Sequence, residues 1–391
     1  MNVKAIRRNF CVLIYLISCV LNQRTPKKEL LSGVNLDHIR NIARDHTLSA
    51  ILSAALESVG MATEEDIEKK NLAIRKIMLL DAERASILSE LESRKIRYLP
   101  LKGVILKELY PYIGLRQMSD NDILFDAAHR HQMKDIMTSR GYSVKTFNKF
   151  HHDVYLKKPV YNFEMHVKLF GASESFDFES YFAGVFDEAI KDEGNSYGYS
   201  MTDEYYYLYL KAHEYKHWVG YGTGLRSLVD TYVYLKAKQN TLNWSYLEAE
   251  LEKLNMLSYE RMTRELALKI FDPDFAESNI NCEKLTQTDI ENLDTFFFSG
   301  TYGNVVRKVT TDLDKNMQSE ESLSKAKARY LWNVLFPSLE YYKVYYPKAY
   351  KHKWLIPFVF VKRVFSMVFL RPKTSFSKLG AVLKHKKRDK E

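Results

Sequence analysis

Apolar residues recur at three- and four-residue spacings along most of this chain and alternate with polar ones only in a short middle section. Behind Arg7 and Arg8, Phe10 to Leu21 forms an apolar run with Ser18 as its clearly polar member. Ile39, Ile42, Ala43, Leu48, Ile51, Leu52, Ala55 and Leu56 then keep a helical rhythm through 36–59. The spacing predicts a long helix over 64–95, with Ile67, Ile74, Ile77, Met78, Ala85, Leu88 and Leu91 among its apolar positions. Thr63 is its expected cap, and Glu64, Glu65 and Asp66 complement the dipole of the first turn. At Tyr98 the period changes. Tyr98–Leu101, Met118–Phe125, Tyr142–Phe147 and Asp153–Lys157 read as strands, with Val104–Tyr110 and His129–Arg140 as helices and Gly141 as a carboxyl cap. Pro100 confines the first strand to an edge or its end. Asn162–Leu169 alternates, with Phe163, Met165 and Val167 on one face and Glu164, His166 and Lys168 on the other. Helical spacing returns in Thr202–Val219, Leu225–Ala237 and 245–271. A loop is expected at 299–303 and disorder over 312–324.

This order predicts an α+β fold, in which a small mixed sheet is embedded in large N- and C-terminal helical regions. The expected segments are a helical region over 1–96, a core over 97–171, a second helical region over 172–335 and a basic aromatic tail over 336–391. With 391 residues, 46% of them hydrophobic, a sizeable core is assured. The 15 glycines and 9 prolines are few enough to favour helix.

Charge sharpens the division. Of 58 basic and 49 acidic residues, 14 and 2 fall in residues 341–391, which leaves 44 and 47 for the rest. The tail is therefore strongly basic and the body near neutral, which argues against a nucleic-acid groove across the body. The 27 tyrosines are expected in core and surface rather than as a stacking platform. Cys11, Cys19 and Cys282 are scattered and odd in number, so no disulfide framework is read from them and a reducing compartment is expected. The run Phe10–Leu21 looks like the apolar region of a signal peptide, but no small-residue cleavage pattern follows it. A buried first helix is the expectation.

The candidate chemistry lies between Tyr98 and His166. Asp120 and Asp122 are two apart, so on a strand their carboxylates share a face, close enough for one divalent cation. Asp-Asn-Asp is also a common turn composition, and that alternative stands beside the metal reading. Upstream, Lys102-Gly103 ends an apolar run and begins a helix. Downstream, Glu164 sits on the alternating strand.

These three pieces resemble the nucleotidyltransferase superfamily of DNA polymerase beta. More specifically, the chain resembles the bacterial nucleotidyltransferases of exopolysaccharide and secondary-metabolite clusters. The resemblance rests on Leu101-Lys-Gly103, Tyr110-Pro111, Arg116-Gln-Met-Ser-Asp-Asn-Asp122, Phe163-Glu-Met-His166, His213 to Trp218 and Leu225-Arg-Ser-Leu-Val-Asp230, across roughly residues 97–235. It implies Mg²⁺ (or Mn²⁺) at Asp120, Asp122 and Glu164, and an NTP held by Lys102, Gly103, Arg116 and Ser119. It places His166, Lys168, His213 and His217 near an acceptor pocket. Lys102 stands where the superfamily usually has serine beside the glycine, and Asn121 replaces a common apolar residue between the acids.

The expected activity is transfer of a nucleotidyl group from an NTP to a hydroxyl acceptor, a small molecule or glycan precursor. Toxin-like nucleotidylation of tRNA or protein, and a non-catalytic membrane-associated assembly factor, are the competing readings. A zinc peptidase is a further one, because His213-Glu-Tyr-Lys-His217 has the His-Glu-x-x-His spacing. Arg226 and Asp230, four apart, are expected to pair along their helix. The expected location is cytoplasmic, with weak contact to anionic lipid through the tail. The segment Phe358–Leu370 is expected to pack as a helix, with the chain loose from Lys384.

Overall fold

The computed structural model describes residues 3–172, 177–220, 222–300, 309, 313, 323–339, 341–342, 346–365, 367 and 379–383. It is an α+β protein with two compact units, Met1–Tyr215 with Leu225–Asp294, and Lys216–Gly224 with Thr295–Glu391.

In the first unit the apolar run forms α1 (Val3–Leu21), which is buried from Asn9 to Leu21. It packs on α2 (Leu36–Asp45), α3 (Ser49–Ser58) and, far along the chain, α13 (Pro273–Ser278). Val12, Leu13, Leu16 and Ile17 are fully buried, and each contributes about 1.5–3 kcal/mol by leaving water. Ser18, the polar member, donates to the Phe271 carbonyl at 2.8 Å, so its burial leaves no orphan hydroxyl. The run is therefore a core helix. Cys11 is disulfide-bonded to Cys282, with Cα atoms 5.9 Å apart, while Cys19 is free and buried. This corrects the cysteine reading, and with it goes the argument from cysteine usage for a reducing compartment.

Helix α4 (Glu64–Ser93) begins at a reciprocal cap in which the Thr63 hydroxyl accepts from the Asp66 N–H and the Asp66 carboxylate accepts from the Thr63 N–H. Its buried stripe is Ala73, Ile77, Leu80, Ile87 and Leu91; Ile67 and Met78, expected on the apolar side, are exposed. The stripe lies on a five-stranded sheet made of β1 (Tyr98–Pro100), β2 (Asn121–Phe125), β3 (Ser143–Thr146), β4 (His152–Lys157) and β5 (Tyr161–His166). The spatial order is β1-β2-β5-β4-β3, with β2 and β5 parallel and the other pairs antiparallel. β1 is an edge strand, as Pro100 requires.

Ile123, Phe125, Phe163, Met165 and Tyr155 share a core cluster with the α4 stripe and with Met133, Ile136 and Met137 of α6 (Arg130–Ser139). Residues of opposite parity, Asp122, Glu164, His166 and His152, therefore share the other face of the sheet. Asn121 points to the α4 side, where its amide donates to the Leu80 carbonyl and accepts from Arg84 at 3.0 Å. That pairing explains a polar residue between the two acids.

Between β1 and β2 lies α5 (Gly103–Leu106). After β5 come α7 (Phe178–Tyr181), α8 (Val185–Glu188) and a small ribbon of β6 (Ile190–Lys191) and β7 (Tyr199–Ser200). Then follow α9 (Asp203–Gly220), α10 (Leu225–Lys238), α11 (Trp244–Lys253), α12 (Leu257–Ile270) and, after α13, α14 (Gln287–Phe297). The stretch 245–271 splits at Asn255, whose φ of +54° ends α11 in the left-handed conformation asparagine tolerates.

In the second unit the described helices include α15 (Leu323–Leu335), α16 (Pro347–Lys351) and α17 (Ile356–Phe365), and residues 379–383 are helical as well. α17 is attached on one side. Phe360 stacks on Phe336 at 5.0 Å, and Arg363 donates to the Val334 and Leu335 carbonyls. Phe358, Val361 and Phe365 are exposed and none of its described residues is buried, which corrects the expectation of a packed helix. The stretch from Lys384, the end of the Phe358–Leu370 segment and most of the 299–303 and 312–324 regions lie outside the described residues. No helix among those described is long and apolar enough to cross a membrane.

Candidate functional site

β2 and β5 run parallel in a register that sets Asp122 beside Glu164. Asp120 precedes β2 by one residue, close enough to act electrostatically on Asp122 and Glu164. The Lys102 ammonium reaches Asp122 Oδ1 at 2.9 Å, and His166 Nε2 lies 2.8 Å from the same oxygen. Glu164 Oε2 is 3.9 Å from His166 Nε2 and 3.7 Å from His152 Nε2. Asp122, Glu164 and His166 form a group whose ligating atoms lie within 4.8 Å of one another.

Lys102 reaches Asp122 from a strained backbone, with φ +47° and ψ −118°. Such a conformation suits glycine and costs a side-chain-bearing residue on the order of 1–3 kcal/mol. The Tyr206 hydroxyl holds it by donating to the Lys102 carbonyl at 2.7 Å. Gly103, next in sequence, lets its neighbours approach: a Cβ there would lie 2.3 Å from Arg116 Nη1 and 2.7 Å from Met118 Sδ, and both side-chain ends would have to move.

The electrostatics follow from crowding. Burial opposes ionisation of Asp122, but Lys102 and His166 hold its carboxyl well below the usual range. Burial would lower the Lys102 ammonium, yet Asp122 raises it on balance. Asp120 is raised by burial and then by the nearby Asp122 charge, with Lys102, Ser119 and Arg226 acting against the rise. Glu164 is pushed up to about 7 by burial and by Asp122. Three carboxylates therefore compete for too little positive charge. A divalent cation relieves such crowding, and the three acids offer oxygen ligands of the kind Mg²⁺ takes.

Other expected site residues are placed differently. Arg116 makes a bidentate pair with Asp230, both bonds 2.9 Å, and the Tyr110 hydroxyl donates to the same carboxylate at 2.5 Å. Its fork is thus engaged, and Asp230 pairs with Arg116 rather than along its helix with Arg226. Lys168 turns away from the site to Glu179, 2.5 Å off. His166 is at the site, His213 lies on α9 with its ring 6.5 Å from Tyr209, and His217 belongs to the second unit. Glu214 is buried against Lys211, and among the described residues no third ligating group gathers with His213 and His217.

Several residues at the site escaped the sequence reading. Lys76 of α4 and Arg226 of α10 both act electrostatically on Asp120, and Lys76 Nζ is 3.4 Å from the Ser119 carbonyl. Tyr209 is fully buried with its hydroxyl unpartnered, and Lys102, Asp122 and Glu164 all perturb it. His151 and His152 join His166 in a second group with ligating atoms within 4.8 Å. The doubled histidine at the head of a strand was the available signal.

A glycine-containing turn, a strand preceded by one acid and carrying a second, and a third acid on its parallel neighbour thus lie together in one small sheet. The model of the uncharacterised nucleotidyltransferase family matches residues 32–272, and the chain belongs to that family. No curated protein and no solved structure matches it.

Proposed function

We propose that the protein is a divalent-metal-dependent nucleotidyltransferase that moves a nucleotidyl group from an NTP to a hydroxyl of a small molecule or glycan precursor. The observation that carries this reading is the parallel register placing Asp122 beside Glu164, with Lys102 against Asp122 and the Asp120 charge acting on both acids. Mg²⁺ or Mn²⁺ held by Asp120, Asp122 and Glu164 would neutralise phosphate charge and acidify the attacking hydroxyl. Lys102, Lys76 and Arg226 act electrostatically on the aspartates, and they are the side chains proposed to hold the triphosphate as point or forked charges. Ser119, next in the chain to Asp120, favours its ionised form. An NTP donor makes the cytoplasm the proposed compartment. The exposed aromatic face of α17 and the basic residues around it support weak attachment to an anionic membrane.

Incubation of the protein with α-labelled NTPs, Mg²⁺ or Mn²⁺ and a cell extract is expected to label an acceptor. Asp120→Asn with Asp122→Asn should lower labelling about 1,000-fold, the equivalent of about 4 kcal/mol of lost charge stabilisation. Near wild-type labelling by a folded double variant would remove the assignment.

A further inference from the structure

Beside the acids, the same face of the sheet carries three imidazoles. Successive strand residues point to opposite faces, so His151 and His152 cannot both face one way within a regular strand. Here they do converge, because β4 begins only at His152 and His151 lies in the bend before it. The His151 carbonyl accepts from the Val167 N–H at 2.8 Å, which fixes the bend. Gly171 makes room for its ring, since a Cβ there would sit 2.8 Å from His151 Nδ1. His152 faces His166 across the β4–β5 pair. The ring centroids are 4.6 Å apart for His151–His152, 5.0 Å for His152–His166 and 5.6 Å for His151–His166.

His166 is oriented by its Asp122 contact at Nε2, and its Nδ1 is buried without a hydrogen-bond partner of ordinary geometry. A carboxylate that fixes a ring in this way is the usual outer partner of a metal-binding histidine. Glu164, 3.7 Å from His152, adds an oxygen donor at the edge of the cluster. His152 and Glu164 are each about a fifth exposed, 22% and 23% of the side chain, so an ion has a route in. Nitrogen donors in this number suit zinc-class divalent ions and not Mg²⁺.

We infer that His151, His152 and His166, with Glu164, form a binding site for a divalent transition metal of the zinc class. The site adjoins the proposed nucleotide site through Glu164 and Asp122, and its occupancy does not depend on nucleotidyl transfer.

The test uses the full chain, stripped with chelator and titrated with Zn²⁺ or Co²⁺ in the absence of nucleotide. One equivalent is expected to bind, with a cobalt visible spectrum typical of mixed nitrogen and oxygen ligation. His151→Ala with His152→Ala should weaken binding more than about 100-fold, beyond the 10–100-fold typical of losing an outer partner. His213→Ala with His217→Ala should leave it unchanged. Should the first double variant fail to fold, His152→Gln alone must still weaken zinc binding and abolish the zinc-dependent rise in melting temperature. Absence of stoichiometric binding, binding indifferent to His151 and His152, or binding lost only with His213 and His217 would each overturn the inference. Asp120→Asn separates the two assignments, because it should lose NTP labelling and keep zinc.

Discussion

Glu164 and Glu214 are both pushed up to about 7, and in both cases burial is the first cause, yet their surroundings differ. Glu164 lies on a sheet face among acids and imidazoles, about a quarter exposed, with Asp122 and Asp120 raising it further. Glu214 lies among helices. Lys211 Nζ donates to it at 3.0 Å and also contacts the Thr231 and Thr263 hydroxyls at 2.6 and 3.3 Å. Close by, the Tyr207 hydroxyl donates to Glu260, which Arg264 holds at 2.9 Å. The helix cluster pairs cation with anion and fills the cation's donors internally. The sheet cluster gathers like charges and opens to solvent. A raised glutamate marks burial in both places, and only the company it keeps separates a binding site from a structural lock.

The sharpest way to break this contrast compares Asp122→Asn with Lys211→Met. The first should cost about 1,000-fold in labelling, well beyond what the stability lost with the Lys102 pairing would explain in a variant still folded at assay temperature. The second leaves Glu214 buried beside an apolar group, and should lower unfolding free energy by about 3–5 kcal/mol, read by denaturant titration. If Lys211→Met is silent in stability, the helix cluster is no lock.

Next comes Glu214→Gln. The Glu214 value is raised from 4.5 in the folded protein, so the stability linked to it is full below 4.5 and is lost as pH rises through about 7. The glutamine variant should therefore lack that decline, and at pH 8 it should differ from wild type by up to about 3 kcal/mol, set by the size of the shift. Parallel stability curves for the two proteins between pH 4.5 and 8 would remove Glu214 as their source.

The smallest effect expected is at the turn. Lys102→Ala and Lys102→Gly both remove the cation and should weaken NTP binding about tenfold, the worth of one charged contact. Glycine should be the more stable of the two by about 1 kcal/mol, because φ at that position is +47°. Equal stability would mean that the turn relaxes when the lysine is gone.

What could be read from the sequence was local. The period change at Tyr98, the cap at Thr63 and the edge position of Pro100 each follow from spacings of a few residues, whereas the pairing of Asp122 with Glu164 needs the parallel β2–β5 register. Long-range pairings were not legible. Arg116 meets Asp230 across 114 positions, and Cys11 meets Cys282 across 271. Neither partner carries a local mark of the other. The burial of Lys211 had no mark in the sequence either, since its partners Thr231 and Thr263 come from two other helices. The histidine cluster was missed because alternation assigns His151 and His152 to opposite faces, and the bend at the head of β4 cancels that rule.

The seating of α1 has a consequence in time. Ser18 meets its acceptor on Phe271 only after 253 further residues have been synthesised. At 5–20 residues per second that takes roughly 13–50 s. α2 and α3 follow close behind α1 and can cover part of it early, but the face that meets α13 and the Phe271 carbonyl waits for that last segment. The unit is therefore closed late, by the meeting of two segments far apart in the chain.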